Sequence, residues 1–121
     1  MTPEEFVAAL HVVVVDSTAS GVVSTLRQPP GRSPWPVTVD RSKWFNALDT
    51  HDQLMVADLV RATAFNAAFA FCAVLDGVAA FDADRGALRL TYIGQDGAET
   101  VLNDPSRCEL HAELRGDDPP P

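Results

Sequence analysis

Apolar and polar positions change their spacing three times along the chain, and each change marks a different element. From Phe6 the spacing is helical: Phe6, Leu10, Val13, Val14 and Ser17 share one face, which Val22 and Leu26 continue if the helix survives Gly21. Just upstream, Thr2-Pro3-Glu4-Glu5 has the form of a capping box with proline in the first turn, so a helix is expected to start there. The run Val12-Val13-Val14-Val15 pulls toward strand, because β-branched side chains lose rotamer freedom in a helix. Cap and spacing together favour helix.

The periodicity stops at Gln28-Pro29-Pro30-Gly31-Arg32-Ser33-Pro34-Trp35-Pro36. Four prolines remove donors and hold the residues before them extended, so a loop is expected. Trp35 between two prolines is expected to pack onto the domain as a clamp, with a partner-binding aromatic as the alternative. Arg41 to Leu48 reads as a short helix anchored by Trp44, Phe45 and Leu48. A second capping box at Thr50-His51-Asp52-Gln53 opens a long helix that runs to Leu75. Its first half is amphipathic. The second half, residues 62–75, carries no charge, and a helix apolar nearly all round must be covered on every side. Asp76-Gly77 closes it, glycine supplying the left-handed conformation that helix ends favour. The tripeptide Leu75-Asp76-Gly77 is too common to identify a family.

Beyond Gly77 the period falls to two. Val78 to Phe81 is expected as a short strand and Asp82 to Gly86 as a turn. Leu88, Leu90 and Tyr92 then alternate with Arg89, Thr91 and Ile93. Gly94-Gln95-Asp96-Gly97 signals a tight turn, with Ala98 to Leu102 as the returning strand. Asp104-Pro105-Ser106 opens a last short helix with Leu110 and Leu114 at i,i+4 spacing. The expected architecture is α+β: a long central apolar helix packed by an N-terminal helix and a three-stranded antiparallel meander, with a short C-terminal helix. One globular domain, residues 1–115, and a disordered tail, residues 116–121, account for the 121 positions.

Composition narrows the functional classes. The net charge of −8 disfavours a nucleic-acid or anionic-membrane binder, since both need clustered positive charge. Against that background, Arg27, Arg32, Arg41 and Lys43 fall in one stretch with a single acid, Asp40. This is either a solvated loop or a local positive patch for an acidic partner or a phosphate. The uncharged stretch 62–75 is too short to span a bilayer. The N-terminus lacks the positive region of a secretion signal, and two cysteines make no disulfide framework, so reduced thiols and a cytoplasmic location are expected. Alanine abundance and the excess of arginine over lysine fit a GC-rich bacterial genome.

Local signatures of chemistry fail one by one. Asp82-Ala83-Asp84-Arg85-Gly86 alternates carboxylates before a glycine, but the positions an EF-hand reserves for glycine and bidentate glutamate hold Ala87 and Ile93. His11, His51 and His111 have no metal-ligand spacing, and no nucleophile elbow, phosphate loop or dinucleotide fingerprint is present. The stripe Phe65, Phe69, Cys72 is expected as core packing. No cofactor and no metal are therefore expected.

The leading functional expectation is a small cytosolic, non-enzymatic protein–protein interaction module, immunity-type or regulatory, contacting a protein partner through Arg32, Trp35, Arg41 and Trp44. Self-association through the apolar helix is a related expectation. The alternative is a small enzyme or ligand binder with a site between the central helix and the sheet, built from Asp76, Tyr92 and His111.

Overall fold

The computed structural model describes residues 1–80, 83 and 86–116. Its first element forms as the sequence suggests: the Thr2 hydroxyl accepts from the Glu5 amide at 3.2 Å, and the Glu5 carboxylate accepts from the Thr2 amide at 2.9 Å. From this box run α1 (Pro3–Leu10), a π-helical segment His11–Asp16, and α2 (Ser17–Arg27), so the valine run is helical and Gly21 does not break it. The π segment alters the faces, however. A π turn holds an extra residue and rotates the helix beyond it out of phase with the helix before. Val7, Val15 and Ala19 therefore face the core, whereas Val13 and Val14, expected on the buried face, are 66% and 43% exposed.

α3 spans Pro36–Ala47, starting five residues earlier than expected because Pro36 suits a first helical position, where no amide hydrogen is needed. α4 spans Thr50–Leu75. Its cap is Asp49, not Thr50: the Asp49 carboxylate accepts from the Asp52 amide at 2.8 Å, and Gln53 turns away to donate to the carbonyls of Phe45 and Leu48. At the other end, Asp76 caps and Gly77 takes φ 74°, as the sequence implies.

The sheet is smaller than expected. Only two antiparallel strands form among the described residues, β1 (Thr91–Ile93) and β2 (Glu99–Val101), with Tyr92 opposite Thr100. Gly97, at φ 80°, closes the turn between them. Residues 78–80 form no strand. The backbone leaving α4 is already committed there, since the amides of Val78 and Ala79 both donate to the Ala73 carbonyl. Phe81 and most of the expected turn at 82–86 lie outside the described residues, as does the expected tail at 117–121. α5 (Leu110–Arg115) completes the chain, starting later than Asp104 because residues 105–107 form a separate turn. The fold is thus mostly helical, with a two-stranded antiparallel sheet and a short C-terminal helix.

The core lies along one side of α4, where α2, the π segment and α5 pack against it. Val7, Val15, Phe65, Ala68, Cys72, Leu110 and Leu114 form its centre. The rest of α4 is not fully covered: Leu59 is 59% and Phe71 57% exposed, contrary to the expectation that this helix is enclosed all round.

One buried side chain ties the hairpin to the helices. Asn103 donates to the carbonyls of Leu75 at 2.6 Å and Leu88 at 2.9 Å, and accepts from the Leu90 amide at 2.7 Å. Replacing it with alanine leaves three backbone groups without these partners. Asn103→Ala is expected to lower the unfolding free energy by about 3 kcal/mol in urea titration; a loss below about 1 kcal/mol would show that water takes over all three bonds.

Candidate functional site

α3 is held by its inner face. Phe45 is fully buried, and at the end of α2 the Arg27 carbonyl accepts from the Asn46 side-chain Nδ2 at 3.0 Å and the Ser42 hydroxyl at 3.5 Å. A helix end leaves such carbonyls without intrahelical partners, so these bonds both complete α2 and fix α3. With that side committed, Val37, Arg41 and Trp44, at i, i+4 and i+7, share an outer face. Trp44 is 55% exposed.

Trp35 precedes α3 as its N-cap, without a side-chain cap bond. The expected packing of this ring onto the domain does not occur: Trp35 is 79% exposed. Pro34 and Pro36 hold it in the extended conformation, φ −60° and ψ 139°, from which the helix starts. Arg32 is exposed in the same loop. All four expected contact residues therefore belong to α3 or to the loop that leads into it, and all are solvent-facing.

Two grooves flank this helix. One, of about 380 Å³, is lined by apolar surface from Val22 and Leu26 and by the hydroxyl-bearing Ser17, Thr18, Thr25 and Thr38, with Arg41 at its wall. The other, of about 560 Å³, is apolar, with Trp44, Val22, Leu59, Val60 and Ala67 among its walls. Thr18 and Val22 line both, so the two run on either side of α2 residues.

The alternative trio divides. Asp76 and His111 meet: one carboxylate oxygen of Asp76 accepts from the His111 amide at 2.9 Å and lies 2.6 Å from His111 Nδ1. A carboxylate only accepts, so Nδ1 carries the proton. The Asp76 side chain is 2% and that of His111 17% exposed. Tyr92 lines a different groove, of about 400 Å³, with Phe6, Leu10, Val13 and Val14. Neither Asp76 nor His111 lines any of these three grooves.

Around this pair the rings form a ladder along α4. His11 meets Phe65 at 6.3 Å between centroids, Phe65 stacks on Phe69 at 6.4 Å, and Phe69 meets His111 edge-on at 5.6 Å. At the His11 end, Asp16 faces Arg61 at 2.7 Å and His11 at 3.5 Å. The Asp16–Arg61 contact is an ion pair to Asp16 Oδ1. With both side chains more than a third exposed, such a pair contributes about 0–1 kcal/mol. The ladder joins the π segment, α4 and α5 mechanically. Among the described residues no three metal-ligating side chains converge.

Comparison with known protein families, characterised proteins and solved structures gives no match to this chain. Sequence reasoning missed Asn103 and the Asp16–Arg61 contact. Only the position of Asn103 before Asp104-Pro105 hinted at a turn residue, and its partners at Leu75 and Leu88 are distant in the chain.

The buried groups generate two measurements. Asp76→Ala is expected to cost about 2–3 kcal/mol and Asp76→Asn, which can still accept from the His111 amide, about 1 kcal/mol, because the charge-assisted bond to the ring is lost in both; equal losses in the two variants would refute a role for the accepted bonds. Burial, with a smaller contribution from the Asp76 carboxylate, pushes the Cys72 thiol from 9.0 up to about 11. The folded thiol keeps its proton where an unfolded one loses it. Its contribution to stability is therefore complete below pH 9 and is lost as pH rises toward 11, and Cys72→Ala flattens that part of the stability curve. Iodoacetamide at about pH 8 should modify Cys72 only at the rate of unfolding.

Proposed function

We propose that this chain is a non-enzymatic protein–protein interaction module, immunity-type or regulatory, whose contact surface is the outer face of α3 and the loop before it. The observation that carries the reading is Trp35, 79% exposed, at the start of the helix that carries the 55% exposed Trp44. Tryptophan is highly buried on average, and at interfaces Trp and Arg supply a large share of the binding energy. Two uncovered indoles with Arg32 and Arg41 nearby have the composition of an unoccupied contact surface.

Charge selects the partner's chemistry. A stretch with four cations and one acid, on a protein of net charge −8, presents a local positive surface on a negative body. An acidic protein segment is attracted to that surface and repelled elsewhere, which fixes orientation as well as speeding encounter. Within the segment, carboxylates and backbone carbonyls would find Arg41 and the hydroxyls of Thr18, Thr25 and Thr38 in the groove beside it, while apolar side chains would meet Trp35 and Trp44.

A water-facing, cytoplasmic location belongs to the same proposal. Two helical stretches, Pro3–Arg27 and Thr50–Leu75, are long and apolar enough to cross a membrane. Asp16 and Arg61 interrupt them near mid-length, and the uncharged run in the second, residues 62–75, falls short of the roughly 20 residues a bilayer requires. The second reading, a small enzyme, is favoured by the Asp76–His111 pair alone. That pair is accounted for by its mechanical work, since Asp76 takes an orphan amide in the first turn of α5 and orients the ring against Phe69.

The test compares capture from the native host by the wild-type chain, Trp35→Ala and Arg41→Glu. A partner held by the wild type is expected to be lost by Trp35→Ala and weakened at least tenfold by Arg41→Glu, with the wild-type complex weakening as salt rises. Undiminished capture by both variants would rule out this surface.

A further inference from the structure

The two grooves beside α3 adjoin, and their polar groups are not evenly spread. Both are lined by Thr18 and Val22, one turn apart on α2, so the grooves meet over these two side chains. On one side of that junction Arg41 stands with Thr25 and Thr38. On the other lie Trp44, Val56, Leu59, Val60, Ala64 and Ala67. The one hydroxyl there besides Thr18, that of Thr63, already donates to the Leu59 carbonyl at 2.7 Å. The polar groups of the trough are thus gathered toward one end.

Charge is distributed in the same one-sided way. The chain carries 17 acids, yet no acid lines either groove, and Arg41 is the one charged lining residue. Asp16, next to the wall residue Ser17, is engaged by Arg61 at 2.7 Å. Among the described residues Arg41 enters no ion pair. A guanidinium at the end of an apolar trough, with no carboxylate of its own, is complementary to an anion that carries an apolar body.

We propose that this trough binds a long-chain carboxylate, a fatty acid, with its carboxylate on Arg41 and its chain crossing Thr18 and Val22 into the apolar groove. The site goes beyond the partner surface of α3 and does not rest on it. One guanidinium matches a single carboxylate in charge and in its two parallel bonds, whereas a phosphate monoester carries nearly two charges. The hydroxyls of Thr25 and Thr38 stand in the same groove as further donors. Beyond the junction a run of methylenes needs no hydrogen-bond partner, and the walls offer almost none. An amphipathic helix would instead carry polar residues along its whole length. From Val56 to Ala67 the apolar groove follows α4 for about 16 Å, and volumes of about 380 and 560 Å³ are those of small-molecule sites.

Trp44 is a built-in reporter, because it is 55% exposed and a chain in the groove covers it. The test is a fluorescence titration of the full chain in a Trp35→Phe background, where Trp44 is the one indole left, with decanoate, dodecanoate and tetradecanoate below their micelle concentrations. Emission is expected to shift to the blue and saturate, with affinity rising about two- to fourfold for each added CH₂. Arg41→Gln is expected to weaken dodecanoate binding about tenfold while leaving 1-decanol binding unchanged, and Arg89→Gln, near the hairpin, to match the parent. Val22→Glu, which sets a carboxylate at the junction, is expected to lose the shift. No shift with any of the three carboxylates overturns the proposal. So does equal binding of dodecanoate by Arg41→Gln, or of dodecyltrimethylammonium by the parent, since either marks adsorption to apolar surface alone. Should Val22→Glu fail to fold, the contrast of carboxylate with alcohol across Arg41→Gln decides, because Arg41 is solvent-exposed and its replacement leaves the core untouched. No partner enters the measurement, so a negative result leaves the α3 contact surface standing, and a failed capture experiment leaves the fatty-acid site standing.

Discussion

The last turn of α4 is the constraint on which the second half of the molecule depends. A helix end leaves four carbonyls with no intrahelical partner, and buried ones must find donors elsewhere. Here Cys72 accepts from Asp76, Ala73 from Val78 and Ala79, and Val74 from Gly77. The fourth, Leu75, accepts from the Asn103 side chain, which comes from beyond the hairpin. That single bond brings the returning strand under the helix end. The remaining bonds of Asn103, to Leu88 and Leu90, then set where the hairpin starts. Asp76, one residue on, does the same for α5 by accepting from His111. Satisfying one helix terminus thus positions both the sheet and the final helix.

This arrangement leaves α4 partly uncovered. α2, the π segment and α5 pack against it, and the sheet is too small to cover the rest. The second half of α4 nevertheless has no polar stripe to offer water. The electrostatics divide the surface: the acids that give −8 keep copies apart over most of the molecule, and the basic stretch around α3 is attractive to acids.

How much of the fold is legible in the chain depends on how local each device is. The Thr2–Glu5 box, the Gly77 closure and the Gly97 turn each involve residues within four positions of one another, and all three are present. Leu110 and Leu114 are readable as one buried stripe for the same reason. Expectation and structure part where one added residue or one distant partner decides. The π segment rotates the N-terminal helix, so valines that regular α spacing puts in the core point outward. Asp49 takes the cap from Thr50 by one residue, and Gln53 is drawn to carbonyls at the end of α3. The third strand is lost because residues 78–79 close the helix end instead of pairing.

The candidate site divides along the same line. Sequence by itself determined that Trp35, Arg32, Arg41 and Trp44 occupy one proline-bounded stretch of positive charge, and that the second half of α4 lacks a polar face, because composition and spacing are properties of the chain alone. Only the tertiary structure decided that Trp35 stands in solvent, that Asp76 meets His111 while Tyr92 lies elsewhere, and that α4 is left partly uncovered. Exposure is a property of what the neighbouring elements leave uncovered. Those neighbours are placed by bonds between residues as far apart as Leu75 and Asn103, a separation over which no periodicity in the chain carries information.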